Sequence, residues 1–463
     1  MRLVVILMFA HVPLGLLLKK APGLSTYHAL ATLIAGCIIA YKCRAPVTVA
    51  YLAAYIAGFE VIWRMTKSKM FTEWGKFTLS VFVIIAVLRF TRTRRNWLAL
   101  LYFALLLPAA GRIFGMLPWD EFKEAMTFTL SGPFALMACM YFFSGLKINS
   151  AQFLRLMLAV LMPILAISAI AAFTTVTAED LDFSANVRNL RSATMSGGFG
   201  PNQVSSILGM GVLAAFLVMM HEEMPKNYRP VIFVILAGLA SQAALTFSRT
   251  GLYLATGSIV AAAYFYMGDA KMRPRILRFG FAMVGAVAVV LPLLSAFTGG
   301  ALLERFKDIS TTGRDNIMFL DLKAFALNPL LGIGVDQGPG FRAQWMGVLM
   351  ESHVEWSRML GEHGVFGLVA LIILIFLGWK GYRSADTLRA RSAATSLLVF
   401  TVMYASSCGM RLGAPSFLFG LLCTTWKFGP PKRRPRPRLL QKSPFATSPE
   451  FTDGPQNTAR ITT

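Results

Sequence analysis

The sequence predicts an all-α, polytopic integral membrane protein of about 12–14 transmembrane helices. Two observations lead there. Of the 463 residues, 56% are hydrophobic and only 14% are charged, which is more apolar surface than a soluble chain of this size can bury. Apolar runs of roughly 15–25 residues, the length that crosses a bilayer, recur from end to end. The runs are continuous and do not alternate with the period of a barrel strand, so helices are the spanning elements.

Fourteen runs qualify: residues 3–18, 24–41, 46–63, 74–90, 97–116, 125–145, 153–176, 203–220, 230–247, 251–267, 276–297, 354–378, 393–408 and 412–426. The fourth and the last are short. The first follows Arg2 but has no small-residue cleavage site, so it reads as a retained helix. Lys and Arg in the short loops set the orientation. Lys271, Arg273, Arg275 and Arg278 share one loop, Lys380, Arg383, Arg389 and Arg391 another, and Arg92, Arg94 and Arg95 a third. With the tail KFGPPKRRPRPR they fall on one side of a fourteen-span layout, which becomes the cytoplasmic side and holds both termini. Lys19, Lys20 and the basic residues of 64–76 fall on the opposite side.

The chain then divides into N-terminal spans (1–176), central spans with outer-face arginine motifs (177–297), a large outer loop (298–352), C-terminal spans (353–426) and a basic, Pro-rich tail (427–463) that reads as disordered. The +23 net charge lies in inside loops and tail, where it meets anionic headgroups. Nucleic acid is not needed to explain it. Cys37, Cys43, Cys139, Cys408 and Cys423 lie in or beside spans at no metal-ligand spacing.

Two outer loops are long, 177–202 and 298–352. Loops beyond about 15 residues are usually functional or disordered. The second carries five basic and six acidic residues, an amphipathic segment DNIMFLDLKAFAL stopped by Asn328-Pro329, and the glycine-rich LLGIGVDQGPGF. It leads into ESHVEWSRMLGEHGVFGLVAL, which begins polar and ends as a span. Ser352 and Glu355 have the spacing of a capping box, which accounts for Glu355 without catalysis. His353 would then occupy the first helical turn, where the helix dipole disfavours imidazolium. A neutral imidazole at a wet boundary can accept a proton, or simply hydrogen-bond headgroups or loop backbone. His363 lies ten residues on, about 15 Å along a straight helix, too far to share that site. Arg358 and Glu362 are spaced to pair, and Gly361, Gly364 and Gly367 form a close-packing face.

Arginines stand at two other outer span ends. Arg249 sits in the break of LTFSRTGLYLA; Arg188 and Arg191 precede the turn of SATMSGGFGPNQVSS and a helix starting near Asn202. One such arginine is commonly a headgroup anchor. Three of them with a histidine and two glycine-rich turns make a site for an anionic ligand, since arginine grips phosphate oxygens in pairs.

TGRDN, NPLLGIGVDQGPGF and SHVEWSRMLGEHGVFGL resemble, in that order, the C-terminal signature of the O-antigen ligase and O-antigen polymerase superfamily. FSRTG and GGFGPNQVS resemble its two other outer-face motifs, so the resemblance spans about 186–371. The GFGPNQVS wording is closer to the exopolysaccharide-polymerase branch. The resemblance implies a metal-independent, cofactor-free glycosyltransferase of the C class, acting at the periplasmic face of the bacterial inner membrane. Its donor would be an undecaprenyl-diphosphate-linked oligosaccharide and its acceptor a glycan hydroxyl, with other polysaccharide export proteins as partners. Carried over, Arg191 and Arg249 hold the diphosphate, with Arg188 as the alternative to Arg191, and His353 is the base. Arg314 braces the loop or touches phosphate; Glu355 and Asn202 support. Many relatives follow the histidine with Asn or Gln, whereas this chain has Val354.

Rival chemistry is sparse. Glu179, Asp180 and Asp182 form a DxD-like string without the soluble α/β domain that such metal-using enzymes carry, and there is no P-loop, Rossmann fingerprint or GxSxG. A transporter or flippase of lipid-linked sugar is the competing class. It would place charges at the membrane midplane or show paired helix breaks in a repeat. The polar residues here gather at the outer rim.

Overall fold

The computed structural model describes residues 1–90, 96–178, 188–308 and 313–429, with backbone only for 188–191. The Arg92–Arg95 loop, the Glu179–Asp182 string, the side chains of Arg188 and Arg191, and the tail from 430 lie outside the described residues. Met1–Phe428 form one compact unit.

The protein is all-α, and each of the fourteen sequence-predicted spans coincides with helix. The N-terminal elements are α1 (Arg2–Lys20), α2 (Pro22–Lys42), α3 (Pro46–Met65), α4 (Trp74–Arg89), α5 (Trp97–Ala104), α6 (Pro108–Ile113), α7 (Trp119–Phe143) and α8 (Ser150–Val176). The central ones are α9 (Arg188–Met195), α10 (Pro201–Met220), α11 (Arg229–Leu245), α12 (Thr250–Gly268) and α13 (Arg273–Phe297). The loop helices are α14 (Ala301–Lys307), α15 (Arg314–Leu327) and α16 (Gly338–Met346), followed by α17 (Glu355–Arg383), α18 (Leu388–Ala405) and α19 (Gly413–Leu422).

Ten helices among the described residues are long and apolar enough to span a membrane unaided; the α5–α6 stretch and α19 are apolar but shorter. Two expectations change in detail. The 97–116 run is two helices, because Pro108 opens α6 at its first position and cannot continue α5. The 412–426 run stops at Leu422, and β2 (Thr425–Lys427) then pairs in parallel with β1 (Lys147–Asn149).

Local chemistry starts and stops the helices. Asn149 and Gln152 form a reciprocal capping box at the start of α8. Proline stands in the first turn of α2, α3, α10, α11 and α13. At the centre, α10 and α12 meet backbone to backbone: a Cβ on Gly251 would lie 1.8 Å from the Ser205 carbonyl oxygen. Small residues let spanning helices approach this closely. On the outside, α13 exposes Phe281, Val284, Val289 and Leu293.

Contacts between connections fall at two ends. At one, β1 pairs with β2, His221 meets Ser150 at 2.8 Å, and Arg389 bridges Glu222 and Asp269. At the other, the Lys19 ammonium donates to the carbonyls of Met65 (3.0 Å) and Gly197 (2.9 Å), and Arg64 donates to Gln203 (3.2 Å). This grouping of connections is compatible with the fourteen-run layout. It also explains the basic residues that offended the charge rule. Lys19 is spent on two carbonyls, Arg64 pairs with Glu60 at 2.9 Å, and Lys76 pairs with Glu73.

The decisive local feature is a break in α17. Gly364 has φ 61° and ψ −139°, so the helix is interrupted there. The outer loop fills the gap. Ile333 N–H donates to Gly361 O (2.9 Å), Gly334 N–H to Glu362 O (3.1 Å), and Val365 N–H to Pro329 O (2.7 Å). Gly332, at φ 69°, lies so near that a Cβ would sit 2.3 Å from the Glu362 carbonyl. Arg112 on α6 holds the same loop, donating to the Gly332 carbonyl and to Asn328 Oδ1 (2.9 Å). The three glycines do not form the continuous helix face that their spacing predicted, because the break at Gly364 interrupts it: Gly361 and Gly364 receive α15 and the loop after it, and Gly367 meets Met359 and His363 of α17 itself.

Gly364→Ala is expected to lower stability by about 2 kcal/mol or more, because it combines a left-handed φ with contact against backbone. Thermal unfolding in detergent measures this; an unchanged midpoint would contradict the reading of the break.

Candidate active site

The α11–α12 connection is a strained turn. Phe247 takes φ 56°, uncommon for a bulky residue. Bonds from three neighbouring elements hold it. Ser192 of α9 donates to Thr246 O (2.7 Å), Ser205 of α10 donates to Ser248 O (2.9 Å), and Arg305 of α14 donates to Phe247 O (3.2 Å). Ser248 in turn donates to Asn202 Oδ1 at 2.8 Å. The turn therefore presents Arg249 from a fixed base.

Beside it lies a cavity of about 680 Å³. Arg249, Arg305 and Arg314 line it with His353 and Asn202, and Ser406 and Ser407 add hydroxyls from the end of α18. Among the described lining residues there is no carboxylate. Arg249 donates to the Asp308 backbone carbonyl, and Arg305 pairs with the Asp308 carboxylate at 2.7 Å. The structure thus brings together four residues named from sequence: Arg249, Arg314, His353 and Asn202. Arg188 and Arg191 begin α9, whose next residue, Ser192, is tied to the arginine turn.

Arg305 was missed. Its only sequence signal was the short amphipathic stretch ALLERFK within the loop, and nothing in that stretch points to Arg249.

His353 does not sit in the first helical turn. Val354 is the N-cap and α17 begins at Glu355, without a side-chain cap. The capping box is not formed because both its members have stronger partners. Ser352 donates to Asp321 Oδ2 (3.0 Å), while Glu355 binds Arg358 (2.5 Å) and accepts from Met410 N–H (3.0 Å). The helix-dipole argument for a neutral His353 therefore gives way to another. Burial, then the positive charges of Arg411, Arg314 and Arg342, push its pKa down from 6.5 to about 4.

Glu355 faces away from the arginine cavity and works through the backbone. It holds Met410, and the adjacent Gly409 N–H donates to the His353 carbonyl at 3.1 Å. Arg358 and Glu362 pair as their spacing predicted, at 3.2 Å. His363 is buried against the Leu106 carbonyl (3.1 Å), apart from the cavity.

A second cluster went unread in the sequence. Buried Glu60, Glu73 and Lys76 and half-buried Arg64 cluster at the end of α3 and the start of α4, and Glu60, Arg64 and Lys76 grip the α18–α19 connection. Gly413 N–H donates to Glu60 (2.6 Å), Arg64 to the Arg411 carbonyl (3.3 Å) and Lys76 to the Met410 carbonyl (3.4 Å).

Residues 231–372 match the family model described as O-Antigen ligase. The matched stretch holds the arginine turn, the loop helices, His353 and the broken helix. No curated protein matches the chain.

Because the folded pKa of His353 lies below its unfolded value, protonation favours the unfolded chain. Its contribution to stability is complete above 6.5 and is lost as pH falls from 6.5 towards 4. Carbethoxylation requires neutral imidazole, so His353 should react nearly as fast at pH 5 as at pH 7.5, whereas an ordinary histidine slows by about 30-fold. Peptide mapping by mass spectrometry reads this directly; a 30-fold loss at His353 would refute the depressed pKa.

Proposed function

We propose that this member of the O-antigen ligase and polymerase superfamily transfers oligosaccharide from an undecaprenyl-diphosphate-linked donor to a glycan hydroxyl, at the periplasmic face of the bacterial inner membrane. The observation that carries the reading is the convergence of Arg249, Arg314 and His353, from three separate segments, on one cavity free of lining carboxylates. Sidedness rests on charge. The loops with Lys271, Arg273, Arg275, Arg278, Lys380, Arg383, Arg389 and Arg391 belong to the opposite side of the fourteen-span layout, which supports an outside position for the cavity.

The chemistry follows from the donor's charge. The diphosphate enters against Arg249 and Arg314, with Arg305 behind, and the family resemblance adds Arg191 as a further ligand. The acceptor oxygen attacks the anomeric carbon. The bond from that carbon to the phosphate oxygen breaks, and its electron pair leaves on the diphosphate. Guanidiniums stabilise the growing negative charge where a metal would serve elsewhere. His353 takes the hydroxyl proton and later releases it to solvent. A pKa near 4 makes it a weak base in the empty site. The bound diphosphate offsets the arginine charges and raises its basicity where and when transfer occurs.

A lipid-linked donor also suits the surroundings. An apolar groove of about 360 Å³ runs between α11, α12 and α13, and its wall residue Phe306 also lines the arginine cavity. An isoprenoid chain fits such a surface while its diphosphate meets Arg249.

His353→Ala and Arg249→Ala should each lower release of undecaprenyl diphosphate by at least about 100-fold in nanodiscs, with expression and monodispersity unchanged. Arg249→Lys should recover little, since lysine lacks the paired donors. His363→Ala should retain transfer. A product ladder identifies a polymerase and a single addition a ligase. If wild type releases nothing and moves lipid-linked sugar across sealed vesicles, the protein is a transporter.

A further inference from the structure

Among the described residues, His353 is positioned without any hydrogen bond to its ring, although a catalytic base is normally oriented by a third group. Its backbone, by contrast, is held from several directions. Gly409 N–H binds its carbonyl at 3.1 Å. The flanking residues converge on one buried ion pair, Asp321 of α15 with Arg342 of α16, which are 3% and 1% exposed. Ser352 donates to Asp321 Oδ2 at 3.0 Å and Ser357 donates to the same oxygen at 2.8 Å. Arg342 Nε donates to the Met350 carbonyl at 2.9 Å. The pair therefore fastens the chain before His353 at Met350 and Ser352, and after it at Ser357.

We propose that Asp321 and Arg342 are positioning residues, a latch that aims His353 into the arginine cavity. The inference rests on the assignment of His353 as the base. Stability alone is a poor reason for such a pair, because desolvating two charges roughly cancels their attraction. What it does supply is direction. Asp321 Oδ1 takes the guanidinium and Oδ2 takes both hydroxyls, so Met350, Ser352 and Ser357 are tied to one rigid centre. That centre is itself fixed to α17, where a Cβ on Gly361 would lie 2.9 Å from the Asp321 carbonyl oxygen. Arg342 also contributes positive charge toward the imidazole, which favours its neutral form. No side chain of the latch lines the cavity, so losing it should leave donor binding intact.

The test uses full-length protein in nanodiscs with undecaprenyl-diphosphate oligosaccharide as donor. In Asp321→Asn, kcat should fall by about 100-fold, the effect of a misplaced base, while KM for the donor stays within about threefold. Carbethoxylation of His353 should change by at least about threefold, with the other four histidines labelling as in wild type. If all five label faster, Asp321→Asn has unfolded. The Ser352→Ala/Ser357→Ala variant then decides, because it keeps the ion pair and removes only the hydroxyl bonds. It should lose at least about tenfold in kcat, since two hydrogen bonds to a charged group are removed, and show the same selective change at His353. Wild-type kcat and wild-type His353 labelling in that variant would overturn the latch. If wild type itself transfers nothing, the transfer reading fails, and His353 labelling in the two variants still shows whether the latch sets the histidine's environment.

Discussion

The interruption of α17 at Gly364 is the constraint on which the rest depends. A bilayer offers no water to the carbonyls and amides that a broken helix releases, so protein must pair them. Residues 329–334 do so: Pro329, Ile333 and Gly334 bond to Val365, Gly361 and Glu362. A sharply turning loop with glycines at 332 and 334 is needed to reach that depth. Once the loop is docked, α15 must lie against the start of α17. Arg314, Ile317 and Asp321 are thereby carried to the cavity and to the segment around His353.

Buried charge serves as scaffolding on the other side of the same segment. The α18–α19 connection has little regular structure, yet its backbone groups find partners in Glu60, Arg64, Lys76 and Glu355. In an apolar setting these ions are tolerable because each faces an opposite charge or a backbone group. Glu355 is the point of contact between the two systems. It binds Arg358 on its own helix and Met410 on the connection, whose neighbour Gly409 holds the His353 carbonyl.

The electrostatic consequence is a division of labour. Carboxylates surround the His353 segment from behind, while the cavity that it faces is lined by arginines. Such a cavity attracts an anion, while burial first and then the charges of Arg411, Arg314 and Arg342 keep the imidazole neutral. A diphosphate would relieve the repulsion among them.

The sequence by itself determined the class and most of the spans, because apolar length is a local property that a bilayer reads directly. It also pointed to Arg249, His353 and Asn202, since turn glycines and polar residues at span ends are visible in one dimension, while Arg314 was named only through the family resemblance. Tertiary structure decided what these residues touch. Ser352 and Glu355 have capping-box spacing, yet Asp321, Arg358 and Met410 compete for them and win. Pro108 divides a span, and Gly364 divides a helix that composition shows as continuous. Lys19, Arg64 and Lys76 looked like topological charges, but Lys19 is held by distant carbonyls, and Arg64 and Lys76 pair with nearby Glu60 and Glu73 while reaching the distant carbonyls of Arg411 and Met410. Arg342 and Asp321 were unreadable because they meet from different helices, and Arg305, although paired with nearby Asp308, because the carbonyl that it binds belongs to Phe247. A buried charge is recognised by its partner, and these distant partners lie on other elements or far along the chain, where no local pattern records them.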